Sequence, residues 1–146
     1  MFTKFTSAKI AVILAGLAVV GWFALQPAEA QKTKGKTRPA ATKSLMKGIV
    51  LPNCAALGGL LKDKGPADDK AWDKATLHAV VLNEMSYVMM DDGRCPDGDW
   101  AGAAKTLREC STKVLEATKA KNVEGAQAAF KGLTGACATC HKAHKK

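Results

Sequence analysis

The sequence predicts an all-α domain, an up-down-up-down antiparallel bundle of four helices. Three observations carry that expectation. Apolar residues recur at spacings of three and four along four separate stretches, short runs of Gly, Pro, Asp and Asn divide those stretches, and nothing in the chain alternates with the period of a strand. Four helices of about twenty residues joined by short connections favour antiparallel neighbours.

The chain of 146 residues opens with a segment that reads as a leader rather than as part of the fold. Lys4 and Lys9 precede an uncharged apolar run from Ile10 to Leu25, and "QPAEA" follows with small residues at Ala28 and Ala30. These are the three regions of a secretory signal peptide, so residues 1–30 are expected to be cleaved after Ala30. An uncleaved anchor is the rival reading, but the run is shorter than the ~20 residues a membrane-spanning helix needs. Residues 31–40 follow as a basic, flexible lead-in with no apolar periodicity. The folded domain is expected over 41–146.

The first helix comes from "ATKSLMKGIVLPNCAALGGLLK", with Met46, Ile49, Asn53, Leu57 and Leu60 on one stripe. Pro52 lies inside it and is expected to kink it. After "KDKGPADD", Pro66, Asp68 and Asp69 suit a helix start, and the second stripe runs Trp72, Ala75, Ala79, Leu82, Ser86 and Met89, widened by Leu77 and Val81. "DDGRCPDGD" supplies Gly93 to end that helix and Asp97 to cap the third. The third stripe is Trp100, Ala103, Leu107, Cys110, Val114 and Ala117. Asn122 caps the fourth, whose stripe is Val123, Ala126, Phe130, Leu133, Cys137 and Cys140.

Net charge is +9, but the cations gather in the lead-in and in the closing "HKAHKK". Together with an aromatic content of 5%, this argues against nucleic-acid binding, which wants a basic stacking surface. Solubility and weak attraction to acidic partners or to a membrane surface are the expected uses of the charge. Nothing assembles an acid, a base and a nucleophile, so an enzyme is not expected.

The chemistry concentrates in "CATCH", Cys137 to His141. C-x-x-C-H is the attachment signature of c-type haem. Each thiol adds to one vinyl group of the porphyrin, and the imidazole beside the second cysteine reaches the iron. On a helix, Cys137 and Cys140 share a face with His141 beside them. Zinc bound by Cys137, Cys140 and His141 or His144 is a weaker alternative, because structural zinc takes four ligands and no second pair has suitable spacing. A thioredoxin-like dithiol lacks its βαβ context, and a plain disulfide ignores the adjacent histidine.

A helical bundle with this motif on its last helix resembles the class II cytochromes c, the cytochrome c′ family and its low-spin relatives. The resemblance covers residues 41–146 and rests on the four helical stretches, "GACATCHKAHK" and "SLMKG". It implies one covalent haem c with its iron, held by Cys137 and Cys140, with His141 as proximal ligand. The Leu-Met pair early in the first helix then makes Met46 the distal ligand, or a distal wall without a bond. Leu45, Ile49, Met89 and Trp100 are expected to line the haem pocket, with Met85 and Met90 nearby and Tyr87 toward a propionate. His78 sits about thirteen residues, ~20 Å, from the haem end and is expected to be an ordinary histidine. His144 is expected to be exposed near a frayed terminus. Cys110 is expected as a buried thiol and Cys95 as a loop thiol, with no bridge assigned to either or to Cys54.

The functional expectation is a periplasmic or otherwise exported one-electron carrier that meets redox proteins bearing acidic patches. The alternative is a five-coordinate haem that binds small gases such as nitric oxide. A homodimer of two bundles is an arrangement the resemblance allows.

Overall fold

The computed structural model describes residues 34–145, so the leader and residues 31–33 lie outside the described part. Four helices account for most of it: α1 (Thr42–Leu61), α2 (Asp69–Val88), α3 (Gly98–Lys119) and α4 (Val123–His144). No strand occurs among the described residues; the one β-bridge joins Lys34 to Ala41. The domain is all-α.

Local chemistry sets the helix starts. Asp68, Asp97 and Asn122 take extended backbone and accept from the amides of Ala71 (2.7 Å), Trp100 (2.9 Å) and Gly125 (3.0 Å). Each side chain thereby satisfies a donor that the first turn would leave without a partner. The turns use left-handed backbone at Gly65 (φ 76°) and Gly93 (φ 74°). Gly65 has a second reason to lack a Cβ, which would come within 2.9 Å of the Val123 side chain at the start of α4.

Neighbours in sequence pack together, α1 on α2, α2 on α3 and α3 on α4, and α1 also meets α4. The core they enclose includes Leu57 and Leu61 from α1, Ala75, Ala79 and Leu82 from α2, Leu107 and Val114 from α3, and Ala126 and Leu133 from α4. On α2 every residue of the expected stripe, from Trp72 to Met89, is buried. Leu77 is not part of it, being 60% exposed. Polar contacts tie the helices at the margin of this core: Thr76 donates to Thr118 across α2 and α3, and Asn83 donates to the Arg108 carbonyl and to Ser111.

α1 departs most from expectation. Its middle, Met46–Val50, is π-helical, between α-helical Thr42–Leu45 and Leu51–Leu61. Pro52 has no amide hydrogen to offer the preceding turn. The backbone widens just before it, and the Leu51 amide reaches back to the Met46 carbonyl. The helix therefore meets its proline with a wider turn. Asn53 Nδ2 donates to the Ile49 carbonyl at 2.7 Å, and its Oδ1 faces His78 Nδ1 at 2.8 Å, which fixes that turn to α2. The wider turn also changes which residues face inward. Thr42, Val50, Leu57 and Leu61 are buried, while Ile49, Asn53 and Leu60 are only partly so.

The basic lead-in was expected to be flexible, but its described part runs over the α2–α3 turn with defined partners. The Asp92 carboxylate accepts from the Thr37 amide (2.8 Å), the Thr37 hydroxyl (3.0 Å) and the Arg38 amide (3.0 Å), while Arg38 pairs with Asp91. Desolvation pushes the Asp92 carboxyl up, but the Thr37 and Arg38 hydrogen bonds and the Arg38 charge together outweigh it and hold the carboxyl below its ordinary 3.8. A depressed carboxylate stabilises the fold above its unfolded value and stops doing so as pH falls through its folded one. Protection of the Thr37 and Arg38 amides, measured against their intrinsic exchange at each pH, is therefore expected to fall on acidification through the carboxylate range. In Asp92→Asn the same amides should exchange fast at neutral pH, with no acid transition.

Candidate functional site

α4 carries Cys137, Cys140 and His141 into a cleft between its own C-terminal half, α1 and the start of α3. The cleft has two lobes of about 50 and 300 Å³, both open to solvent, and the outer one reaches the lower end of the range of small-molecule and cofactor sites. Met46, Val50, Trp100, Cys137, Cys140 and His141 line both lobes. The inner lobe is closed by Met89, Leu107 and the small side chains of Ala103, Ala104 and Ala136. Lys43, Lys47, Cys54 and Lys145 stand around the outer one. Small residues on α3 and α4 leave room that larger ones would fill.

Trp100 is the best-fixed wall. Its amide is held by Asp97, its Nε1 donates to the Met89 carbonyl at 2.7 Å, and its ring meets His144 edge-on at 5.3 Å and 73°. His144 thus does not project from a frayed end, as its place in the sequence suggested. It is buried, with Nε2 3.4 Å from the Asp97 carboxylate, because the last turn of α4 folds against the start of α3. Asp97 caps α3 and also stands beside the end of α4, where the buried His144 Nε2 has no hydrogen-bond partner.

The titrating groups of the cleft are biased toward neutral forms. Burial pushes the Cys137 thiol up to about 11, helped by the neighbouring Cys54 and Cys140. Burial raises Cys140 as well, with the Asp97 charge adding to it, and burial alone raises Cys54. His141 moves down, chiefly through desolvation and then through the charge of Lys145. The site therefore offers protonated thiols and a neutral imidazole, the form of histidine that binds metals.

Of the residues singled out in the sequence, Cys137, Cys140, His141, Met46, Met89 and Trp100 come together in this cleft. Leu45 and Ile49 do not line it. Both pack against the hydrophobic core, because the π-helical turn brings Met46 and Val50 onto the cleft instead. Met85 is buried in the core and Met90 packs against it. Tyr87 is on the surface, 48% exposed, with the Arg108 guanidinium 3.7 Å above its ring. His78 is occupied by Asn53. The Cys95 thiol donates to the Asp97 carbonyl at 3.4 Å, and the half-buried Cys110 packs where α4 has Gly132.

Val50 and Cys54 were missed. Their signal is the repetition by four from Thr42 through Met46 and Val50 to Cys54, which suits a widened turn rather than a regular stripe. Arg94 was missed as well. It is 1% exposed, and none of its side-chain nitrogens has a hydrogen-bond partner. The acids nearest in sequence, Asp91 and Asp92, are engaged by Arg38 and Thr37.

Among the described residues, no group of three or more His, Cys, Asp or Glu side chains converges to hold a metal ion, so the zinc alternative has no assembled ligand set there. No family model, curated protein or solved structure matches the chain.

Proposed function

We propose that the chain is an exported monohaem c-type cytochrome that carries single electrons, built on an up-down-up-down antiparallel bundle. The observation that carries this reading is the meeting of Cys137, Cys140 and His141 from α4 with Met46 from α1 around one cleft. Bound there, haem supplies a one-electron iron couple.

The chain's own residues have distinct tasks. Cys137 and Cys140 hold the cofactor covalently through their sulfurs. His141 would hold the iron through a neutral imidazole and Met46 through a thioether, which would favour the reduced state and raise the potential. Met89, Trp100, Val50 and the alanines of α3 and α4 keep water from the iron. Lys43, Lys47 and Lys145 at the outer lobe give the opening a positive field that attracts redox proteins with acidic patches. The reading is a carrier rather than an enzyme.

Arg94 lines neither lobe: its Nη2 and the Asp92 carboxylate both lie beside Gly35 in the lead-in, where the guanidinium is buried without a hydrogen bond. Arg94→Met is expected to be neutral or stabilising, because it removes a buried guanidinium that makes no hydrogen bond. The midpoint of urea unfolding measures it.

The apolar inner lobe also suits a neutral diatomic gas, the second reading if Met46 leaves the iron free. Absorption spectra of the purified protein, oxidised and reduced, together with its intact mass, test the proposal. A low-spin haem spectrum and one added porphyrin are expected; a colourless chain of unmodified mass overturns it.

A further inference from the structure

Three thiols face the cleft, and the C-x-x-C-H reading uses two of them. Cys54 lines the outer lobe together with Cys137 and Cys140, and it alone comes from α1. Two observations bring it toward Cys137 rather than toward Cys140. Cys54 acts electrostatically on the Cys137 thiol, an effect that requires proximity, whereas the charge acting on Cys140 is that of Asp97. The second observation is the way α1 and α4 meet. A side chain at Gly58 would touch Phe130, and the Leu61 carbonyl accepts from Gln127, so positions advance along α1 as they retreat along α4.

Continuing that register sets Cys54 level with Thr134, one turn from Cys137 and two from Cys140. Every Cα–Cβ bond tilts toward the start of its own helix. On helices running in opposite senses, Cys54 leans toward the level of Cys137, and Cys137 leans toward the level of Cys54. That tilt brings the two side chains toward a common level on the lobe that both of them line.

We infer that Cys54 and Cys137 form an inter-helix disulfide in the haem-free chain, a redox latch that withholds one haem-attaching sulfur and ties α1 to α4 over the cleft. Its consequence for haem rests on the cytochrome reading, but its chemistry does not. The oxidant is a disulfide donor of the kind an oxidising compartment holds, such as oxidised glutathione. The Cys54 sulfur gives up its proton and attacks the donor, forming a mixed disulfide and releasing one glutathione thiol. The Cys137 sulfur gives up its proton and displaces the second glutathione thiol. Two electrons and two protons pass from the cysteine pair to two molecules of glutathione. A thiol reductant reverses the exchange and frees Cys137 for attachment.

The full-length haem-free chain, incubated with oxidised glutathione, blocked with N-ethylmaleimide and mapped by mass spectrometry, tests the latch. Cys137 and Cys140 share the tryptic peptide 132–142, so fragmentation assigns the linked sulfur. The expected product joins Cys54 to Cys137, with maleimide on Cys95, Cys110 and Cys140. A Cys137–Cys140 link with maleimide on Cys54 overturns the inference. A chain that forms the Cys54–Cys137 link yet gains no porphyrin under any redox condition keeps the disulfide and overturns the cytochrome reading. One that gains porphyrin but never links Cys54 overturns the latch alone.

Discussion

On the proposed cytochrome reading, Cys137→Ser combined with Cys140→Ser is expected to abolish covalent haem, leaving a chain whose intact mass carries no porphyrin. The effect should be complete because a serine hydroxyl does not replace a thiol in thioether formation. Both sulfurs line the two lobes of the cleft, so their loss leaves only His141 and apolar packing to hold a macrocycle. The fold of the unliganded domain should persist. Neither cysteine is fully buried, and the core that binds α4 to its neighbours lies at Ala126, Leu133 and Ala136. Far-ultraviolet circular dichroism checks the helices while mass spectrometry reads the haem. Cys110→Ser supplies the control, since Cys110 packs beside Gly132 and lines neither lobe. If the Cys110 variant loses haem as fully as the double variant, the assignment of the two attachment sulfurs fails.

On the same reading, Met46→Ala is expected to convert a six-coordinate, low-spin haem into a five-coordinate, high-spin one. Reduced variant protein should then bind carbon monoxide at once, and its reduction potential should fall, because a thioether ligand raises it. Burial and position make this substitution informative. Met46 is only partly buried, so the packing loss belongs at or below the lower end of the ~2–5 kcal/mol typical of Met→Ala in cores. It opens the π-helical turn and faces both lobes from the helix opposite His141. Ile49→Ala separates ligation from packing: Ile49 lies on the same turn but does not line the cleft, so its spectrum should stay that of the parent. An unchanged low-spin spectrum in Met46→Ala would show that another group binds the iron.

The two experiments probe features of different legibility. Cys137, Cys140 and His141 are close in sequence, and any helix through them puts the thiols on one face. The caps Asp68, Asp97 and Asn122 are legible for the same reason, since each bonds an amide three residues ahead. Met46 is less secure. Its distance along α1 was readable, but its facing depends on how the backbone passes Pro52, and a regular helix would have kept Leu45 and Ile49 in view as pocket residues. Tyr87 is a further case: a helical position near the cofactor end says nothing of Arg108, whose guanidinium covers its ring from α3.

From residue order alone came the helical class, the helix starts and the grouping of two thiols with an imidazole, because each depends on groups within one or two turns of one another. Only the tertiary structure decided that His144 is buried against Trp100, that Arg94 is enclosed without a hydrogen bond and that Cys54 lines the same lobe as Cys137. Each of these joins residues from segments far apart in sequence, and periodicity along one helix says which face turns inward without saying what stands opposite. The π-helical turn belongs with them, since the Asn53–His78 contact that fixes it crosses from α1 to α2. Spacing placed the sulfurs of the motif, and packing supplied the third sulfur and the thioether that face them.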